Sequence, residues 1–282
     1  MTFPYRYLRL SLGVAAIGAI AYISICLALW RWQARFIFFP PATLKATPAA
    51  VQLPYEEVWL PIGDDALHGW WIPAPVADAP VILYFHGNAS NLGDLVNQAA
   101  RYYQWGYGAF LVDYRGYGKS SGAFPSERQV YEDAAAAWAY LTQERGIPAN
   151  RIVIHGQSLG GAIAIELASH QPDAAGVIVE SSFTSIRRMV DHQTVYSLFP
   201  INWLLTQRFD SIAKVPTLEV PILLIHGTLD ETVPPAMSQA LYDAAPEPKT
   251  LVWLTGATHD NLPSFGGEQY EKAIRSFADN LR

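Results

Sequence analysis

After Pro54 the chain alternates short β-branched or aromatic runs with longer stretches of helical pattern, a rhythm that suits a mostly parallel sheet with helices on both faces. Strands are expected over residues 81–85, 109–113, 151–155, 176–180, 222–226 and 250–254, with helices beginning near Leu92, Ser126, Ser158, Pro235 and Gly267. Residues 56–60 and 67–72, separated by Gly63-Asp64-Asp65, read as an antiparallel hairpin ahead of that alternation. The interval 181–220 is longer than a crossover needs. It reads as a short helical cap over one end of the sheet, with Phe199, Trp203 and Leu204 contributing an apolar wall. A chain of 282 residues, 51% hydrophobic and only 16% charged, can bury the core such a domain requires.

Ahead of the domain, residues 10–30 carry no charge and no proline, and at about 1.5 Å rise per residue they match the roughly 30 Å hydrocarbon core of a bilayer. Arg6 and Arg9 precede this run, Arg31 and Arg35 follow it, and Tyr5, Tyr7, Trp30 and Trp32 flank it as interface-seeking aromatics. A cleavable signal peptide is the competing reading. The run is longer than a signal's apolar region and ends in Leu-Ala-Leu-Trp-Arg-Trp without a small-x-small cleavage pattern, which favours a retained single-pass anchor over residues 1–40 and a catalytic domain over 41–282. The α-amino group, Arg6 and Arg9 balance Arg31, Arg35 and Lys45, so the side of the membrane stays open. The apolar Phe36-Ile37-Phe38-Phe39-Pro40-Pro41 is expected as a linker close to the bilayer.

Composition excludes several function classes. A net charge of −6 with no Lys/Arg cluster argues against a nucleic-acid partner. The lone Cys26 cannot form an intrachain disulfide or a thiolate zinc site, and no H-E-x-x-H occurs. No metal and no cofactor is assigned.

The chemistry is expected just beyond the carboxyl ends of the strands. The strand at 151–155 runs into Gly156-Gln157-Ser158-Leu159-Gly160-Gly161 and then a helical Ala-Ile-Ala-Ile-Glu-Leu-Ala, the strand, sharp turn and helix that G-x-S-x-G requires. Gly118-Lys119-Ser120-Ser121-Gly122 spells the same pattern, but no helix follows it, so Ser120 is expected in a loop. Gly118-Lys119-Ser120 also lacks the first glycine of a phosphate loop, since residue 113 is Asp.

A serine hydroxyl needs a base, and the base needs a carboxylate to hold its tautomer. Of the seven histidines, His259 lies in the loop after the last strand, and Asp230 lies just past the preceding one. With Ser158 they give the chain order Ser, Asp, His. Glu180, Asp210 and Asp260 are the rival carboxylates. The N–H groups of Leu159, at a helix start, and Asn88, in His86-Gly87-Asn88-Ala89, are the candidate oxyanion donors, with Gly87 permitting close approach. His86 is expected to be structural, because it precedes the nucleophile in the chain. An imidazole of ordinary pKa, about 6.5, would place the acid limb of kcat/KM nearby.

Taken together, the His86 loop, Asp113-Tyr114-Arg115-Gly116-Tyr117-Gly118-Lys119-Ser120, the Ser158 turn, His226-Gly227-Thr228-Leu229-Asp230 and the late His259 resemble the α/β-hydrolase superfamily. They are similar in particular to its membrane-associated α/β-hydrolase-domain serine hydrolases, which include acyl-protein thioesterases and lysophospholipid or monoacylglycerol lipases. The resemblance implies a Ser158, Asp230, His259 triad, an acyl-enzyme and a small acyl or lipid-like substrate. Arg115 is expected to tie loops together beneath the site. The depalmitoylases of that group carry an N-terminal cysteine cluster, whereas this chain has only Cys26, which weakens a protein-thioesterase assignment. An aminopeptidase of the same fold and a non-catalytic tethered binding protein are the alternatives.

Overall fold

A computed structural model describes residues 3–192 and 194–281; Met1, whose α-amino group entered the charge balance, Thr2, Gln193 and Arg282 lie outside the described residues. Eight strands form one sheet: β1 (Glu56–Ile62), β2 (Asp65–Ile72), β3 (Val81–Phe85), β4 (Gly108–Val112), β5 (Ile152–Gln157), β6 (Gly176–Glu180), β7 (Ile222–Gly227) and β8 (Lys249–Leu254). Their order is β1-β2-β4-β3-β5-β6-β7-β8. β2 pairs antiparallel with both β1 and β4, and every other pairing is parallel. This is the α/β-hydrolase fold.

All residues of β3, β4 and β6 are buried, because helices cover both faces and the strands read as unbroken apolar runs. Their side chains alternate between two cores. Val81, Leu83 and Phe85 enter one core, while Ile82 and Tyr84 enter the other. Two helix starts depart from expectation. Near Leu92 the Asn91 side chain accepts from Gly93 N–H and sets a 3₁₀ turn over Leu92–Asp94, so the helix proper is Val96–Gln104. The last helix begins at Leu262 and runs to Asn280, with a kink at Gly267, where φ is 48°.

The cap is built of short pieces, Ile186–Asp191, Thr194–Leu198, Ile201–Leu204 and Ser211–Lys214. The N-terminal helix runs from Phe3 to Trp32, and its Tyr7–Trp32 portion is long and apolar enough to cross a membrane, with a mean hydropathy of 2.3 and no burial against the rest of the chain over its most apolar stretch. Beyond it, the segment expected as a bilayer-side linker divides. Phe36 and Phe39 are exposed, but Ile37 and Phe38 are buried in the domain core, where Phe38 meets the Phe209 ring edge-on at 6.0 Å.

Candidate active site

The turn after β5 is made by sterics. An added Cβ at Gly156 would lie 2.0 Å from Gly160 O, and one at Gly160 would lie 2.0 Å from Phe85 O. Only hydrogen fits at either position, which lets the chain double back from strand to helix close against the end of β3. Ser158 pays the conformational penalty, with φ 54° and ψ −117°, a region costing a non-glycine residue about 1–3 kcal/mol. Surrounding bonds hold it there. Ser158 N–H donates to Glu180 O at 2.8 Å, and its carbonyl accepts from Ser182 Oγ at 2.7 Å and Gly161 N–H at 3.0 Å.

The loops after β7 and β8 are locked together in turn. A Cβ at Gly227 would lie 2.4 Å from Ala257 O, Leu229 N–H donates to Ala257 O at 2.9 Å, and Gly256 N–H donates to Thr228 Oγ1 at 2.9 Å. This close seam carries Asp230 on one side and His259 on the other. His259 Nδ1 lies 2.7 Å from Asp230 Oδ2, and His259 Nε2 lies 3.1 Å from Ser158 Oγ. An ionised carboxylate only accepts, so Nδ1 carries the proton and Nε2 is left to accept from the serine hydroxyl.

Asp230 is 6% exposed and surrounded by donors. Burial opposes its charge, but hydrogen bonds from His226, His259 and Val233 N–H prevail and hold the carboxyl well below the usual carboxylate range. Thr232 and Val233 N–H donate to Oδ1 at 2.9 and 2.8 Å. His226, expected at the end of a strand and within the His226–Asp230 motif but given no role there, is a further neighbour of Asp230. Its Nε2 lies 3.1 Å from Asp230 Oδ2 and 3.0 Å from Val233 O, both acceptors, so Nε2 carries the proton and Nδ1 accepts from Ser238 Oγ at 2.6 Å. The proximity comes from the turn after β7, where Asp230 N–H donates to Gly227 O at 3.2 Å and brings the carboxylate back to the ring at the strand's end.

The rival acids are otherwise placed. Glu180 is buried against His155 Nε2 at 2.9 Å, and Asp260 is exposed. Asp210 sits at the N-terminal end of the short Ser211–Lys214 helix in the cap. His86 is fully buried, with Nδ1 donating to Gly87 O at 2.8 Å and Nε2 3.3 Å from Asp113 Oδ1, which suits a structural role. Arg115 spans from its loop to the helix Glu127–Ala139 through Asp133 at 2.6 Å, Glu132 at 2.7 Å and Gln129 O at 2.8 Å.

Asn88 and Leu159 both line the cavity beside Ser158, and neither backbone N–H has an acceptor among the described residues. The Asn88 loop is fixed from behind. Its Nδ2 donates to Ile37 O at 2.8 Å, and its carbonyl accepts from Phe39 N–H at 3.1 Å and Tyr117 OH at 2.8 Å. Steric need does not explain Gly87, since a Cβ there would make an ordinary 3.6 Å contact with Ser158 Cβ.

The cavity over Ser158 has a volume of about 720 Å³ and is walled mainly by apolar side chains. Leu204 lines it as expected. Phe199 and Trp203 do not: Phe199 stacks on Tyr22 of the N-terminal helix, and Trp203 is 87% exposed. A helical piece of only four residues turns Leu204 inward and leaves its neighbour facing out. No group of three or more His, Cys, Asp or Glu capable of holding a metal occurs among the described residues.

Comparison with known proteins adds the following. The family described as "Serine aminopeptidase, S33" matches residues 77–213 and 204–263. An uncharacterized protein of Mycobacterium tuberculosis is 32% identical over 95% of this chain and 94% of its own length. The alpha/beta hydrolase domain-containing protein WAV2 of Arabidopsis thaliana is 32% identical over 93% of this chain and 92% of its own. Among solved structures, an esterase of Pyrococcus furiosus superposes with a TM-score of 0.71 at 20% identity, covering 86% of this chain and 97% of that one.

Proposed function

The chain belongs to the α/β-hydrolase superfamily, in the family described as serine aminopeptidase, S33, and is a hydrolase; on that premise we propose that it is a membrane-anchored serine hydrolase cleaving ester or thioester bonds of acyl, lipid-like substrates. In this reading Ser158 Oγ attacks the carbonyl carbon as its proton passes to His259 Nε2. Asp230 holds the imidazolium, and the Asn88 and Leu159 N–H groups receive the oxyanion. Collapse breaks the bond to the alcohol or thiol, which leaves with the proton from His259. Water then attacks the acyl-enzyme by the same route and releases the acid.

The observation that carries the reading is the Ser158–His259–Asp230 contact chain at the floor of an apolar cavity. The family description brings an aminopeptidase forward as the second reading. That activity calls for an acidic group to hold the substrate amine, and among the described residues lining the cavity only Asp260 is a carboxylate. A fluorophosphonate probe tests the nucleophile: labelling is expected in the native protein and absent from Ser158→Ala, and labelling that survives the substitution overturns the assignment. Turnover of p-nitrophenyl esters of rising chain length, set against aminoacyl anilides, tests the bond. Faster anilide cleavage would replace the esterase reading with the peptidase one.

A further inference from the structure

The cap runs beside the N-terminal helix from Tyr22 to its end and meets Gln33 just past it. The Tyr22 hydroxyl donates to Leu198 O at 2.9 Å, and its ring stacks on Phe199 with centroids 5.7 Å apart. At the other end Gln33 works as a latch. Its Nε2 donates to Leu204 O at 3.2 Å, and its Oε1 accepts from the N–H groups of Thr206 and Gln207 at 2.7 and 2.9 Å.

The depth of these contacts matters. At about 1.5 Å per residue, Tyr22 lies roughly 16 Å along the helix from Gln33, and it sits well inside the Tyr7–Trp32 stretch. When that helix crosses a bilayer with a hydrocarbon core of about 30 Å, cap residues bonded to Tyr22 lie at acyl-chain depth in the leaflet nearest the domain. The cap tip has the surface for that setting: Val195, Leu198 and Trp203 are 59%, 71% and 87% exposed. The same two segments wall the cavity, with Leu29 of the helix and Gln33 just past its end on one side and Tyr196, Ile201 and Leu204 from the cap on the other, above Ser158. Its volume of about 720 Å³ suits one chain-like ligand.

We propose that the N-terminal helix and the cap tip form a lateral portal, through which the single acyl chain of a membrane-resident ester passes from the leaflet into the cavity. The proposal deepens the membrane-anchored acyl-hydrolase reading and rests on it. It makes the helix a wall of the binding site as well as a tether.

The test uses the full chain in phosphatidylcholine nanodiscs. In a Cys26→Ser background, spin labels are placed singly through Leu12→Cys, Trp203→Cys and Glu219→Cys, and their exposure to oxygen is compared with exposure to a water-soluble nickel chelate. The label at position 203 is expected to follow position 12 in favouring oxygen, with position 219 favouring nickel. If position 12 lies in lipid while position 203 lies in water, the portal is overturned and the anchor stands. If both lie in water, the anchor reading falls and the portal with it.

Turnover supplies a second readout. Leu198→Lys combined with Trp203→Lys is expected to lower the ratio of kcat/KM for a bilayer-resident monoacyl ester to that for p-nitrophenyl acetate by about tenfold, the scale of one lost apolar side-chain burial. An unchanged ratio overturns the portal. A native protein that cleaves no ester overturns the hydrolase chemistry instead, leaving the spin-label result to decide where the cap lies.

Discussion

Two stretches of this chain spell G-x-S-x-G, and the structure treats them in opposite ways. Ser158 ends a parallel strand and begins a helix, holds φ at 54°, and puts its hydroxyl into a cavity against His259. Ser120 lies in a loop after β4 and is buried. Its Oγ accepts from His68 N–H at 2.8 Å and donates to Asp113 O at 2.7 Å, stitching β2 to the end of β4. The glycines around each differ in what they make room for. A Cβ at Gly156 or Gly160 would lie 2.0 Å from a backbone oxygen, whereas Gly118 and Gly122 adopt left-handed backbone, at φ 53° and 112°, and a Cβ there would meet the carboxylates of Asp113 at 1.9 Å and Asp65 at 2.9 Å. A five-letter pattern therefore has chemical meaning only through the elements that flank it.

The contrast is broken most directly at the two hydroxyls. Ser158→Ala is expected to lower kcat by up to about 10⁶-fold, the loss seen when a nucleophile is removed from a serine triad, with little change in Tm. Ser120→Ala should retain labelling and turnover. If Ser120→Ala abolishes labelling while Ser158→Ala does not, the two assignments are reversed.

Next in size is Asp230→Asn, expected to cost about 10⁴ in kcat because the amide reverses the tautomer His259 needs. The pH profile sharpens the same point. Asp230 is held below the usual carboxylate range, so the stability it contributes is present above its unfolded pKa of about 3.9 and is lost as pH falls through the lower folded value. It therefore stays charged from pH 5 to 8 and adds no ionisation of its own to kcat/KM in that range. A carboxylate ionisation in the kcat/KM profile above pH 5 that disappears in Asp230→Asn would contradict the scheme.

His226→Asn removes one donor from Asp230. It is expected to lower kcat by about tenfold and to move the acid limb, since a hydrogen bond to a charged group is worth roughly 1.5–3 kcal/mol. A fall in Tm with an unmoved pH profile would make His226 purely structural. The effect with the least bearing on turnover belongs to Ser120→Ala, about 1–3 kcal/mol of unfolding free energy from the two backbone groups left without their partner. Chemical denaturation measures it, and a value near zero would remove Ser120 from its bridging role.

Much of this architecture was legible because it rests on local rules. β3 and β6 fall where their apolar runs begin and end, and the other strands of the alternation shift at most two residues at an end. Ser158, Asp230 and His259 could be picked out by their places after strands, and they do meet. What stayed hidden depends on contacts between distant segments. Nothing near Gln33 marks it as a partner of Leu204, Thr206 and Gln207, and nothing near Ile37 marks its carbonyl as an acceptor for Asn88. The cap wall was misjudged for the same reason: Phe199, Trp203 and Leu204 are all apolar, and which one faces inward is set by a short helical piece packed against a helix far away in the chain.

The burial of Ile37 and Phe38 bears on how the protein is made and handled. A protease cutting at residue 40 would strip two side chains from the interior and withdraw the Ile37 carbonyl from Asn88, so a domain clipped at that point should be a damaged product. A secreted or water-soluble form is better begun upstream of Ala34, where the polypeptide leaves the apolar rod and enters the fold.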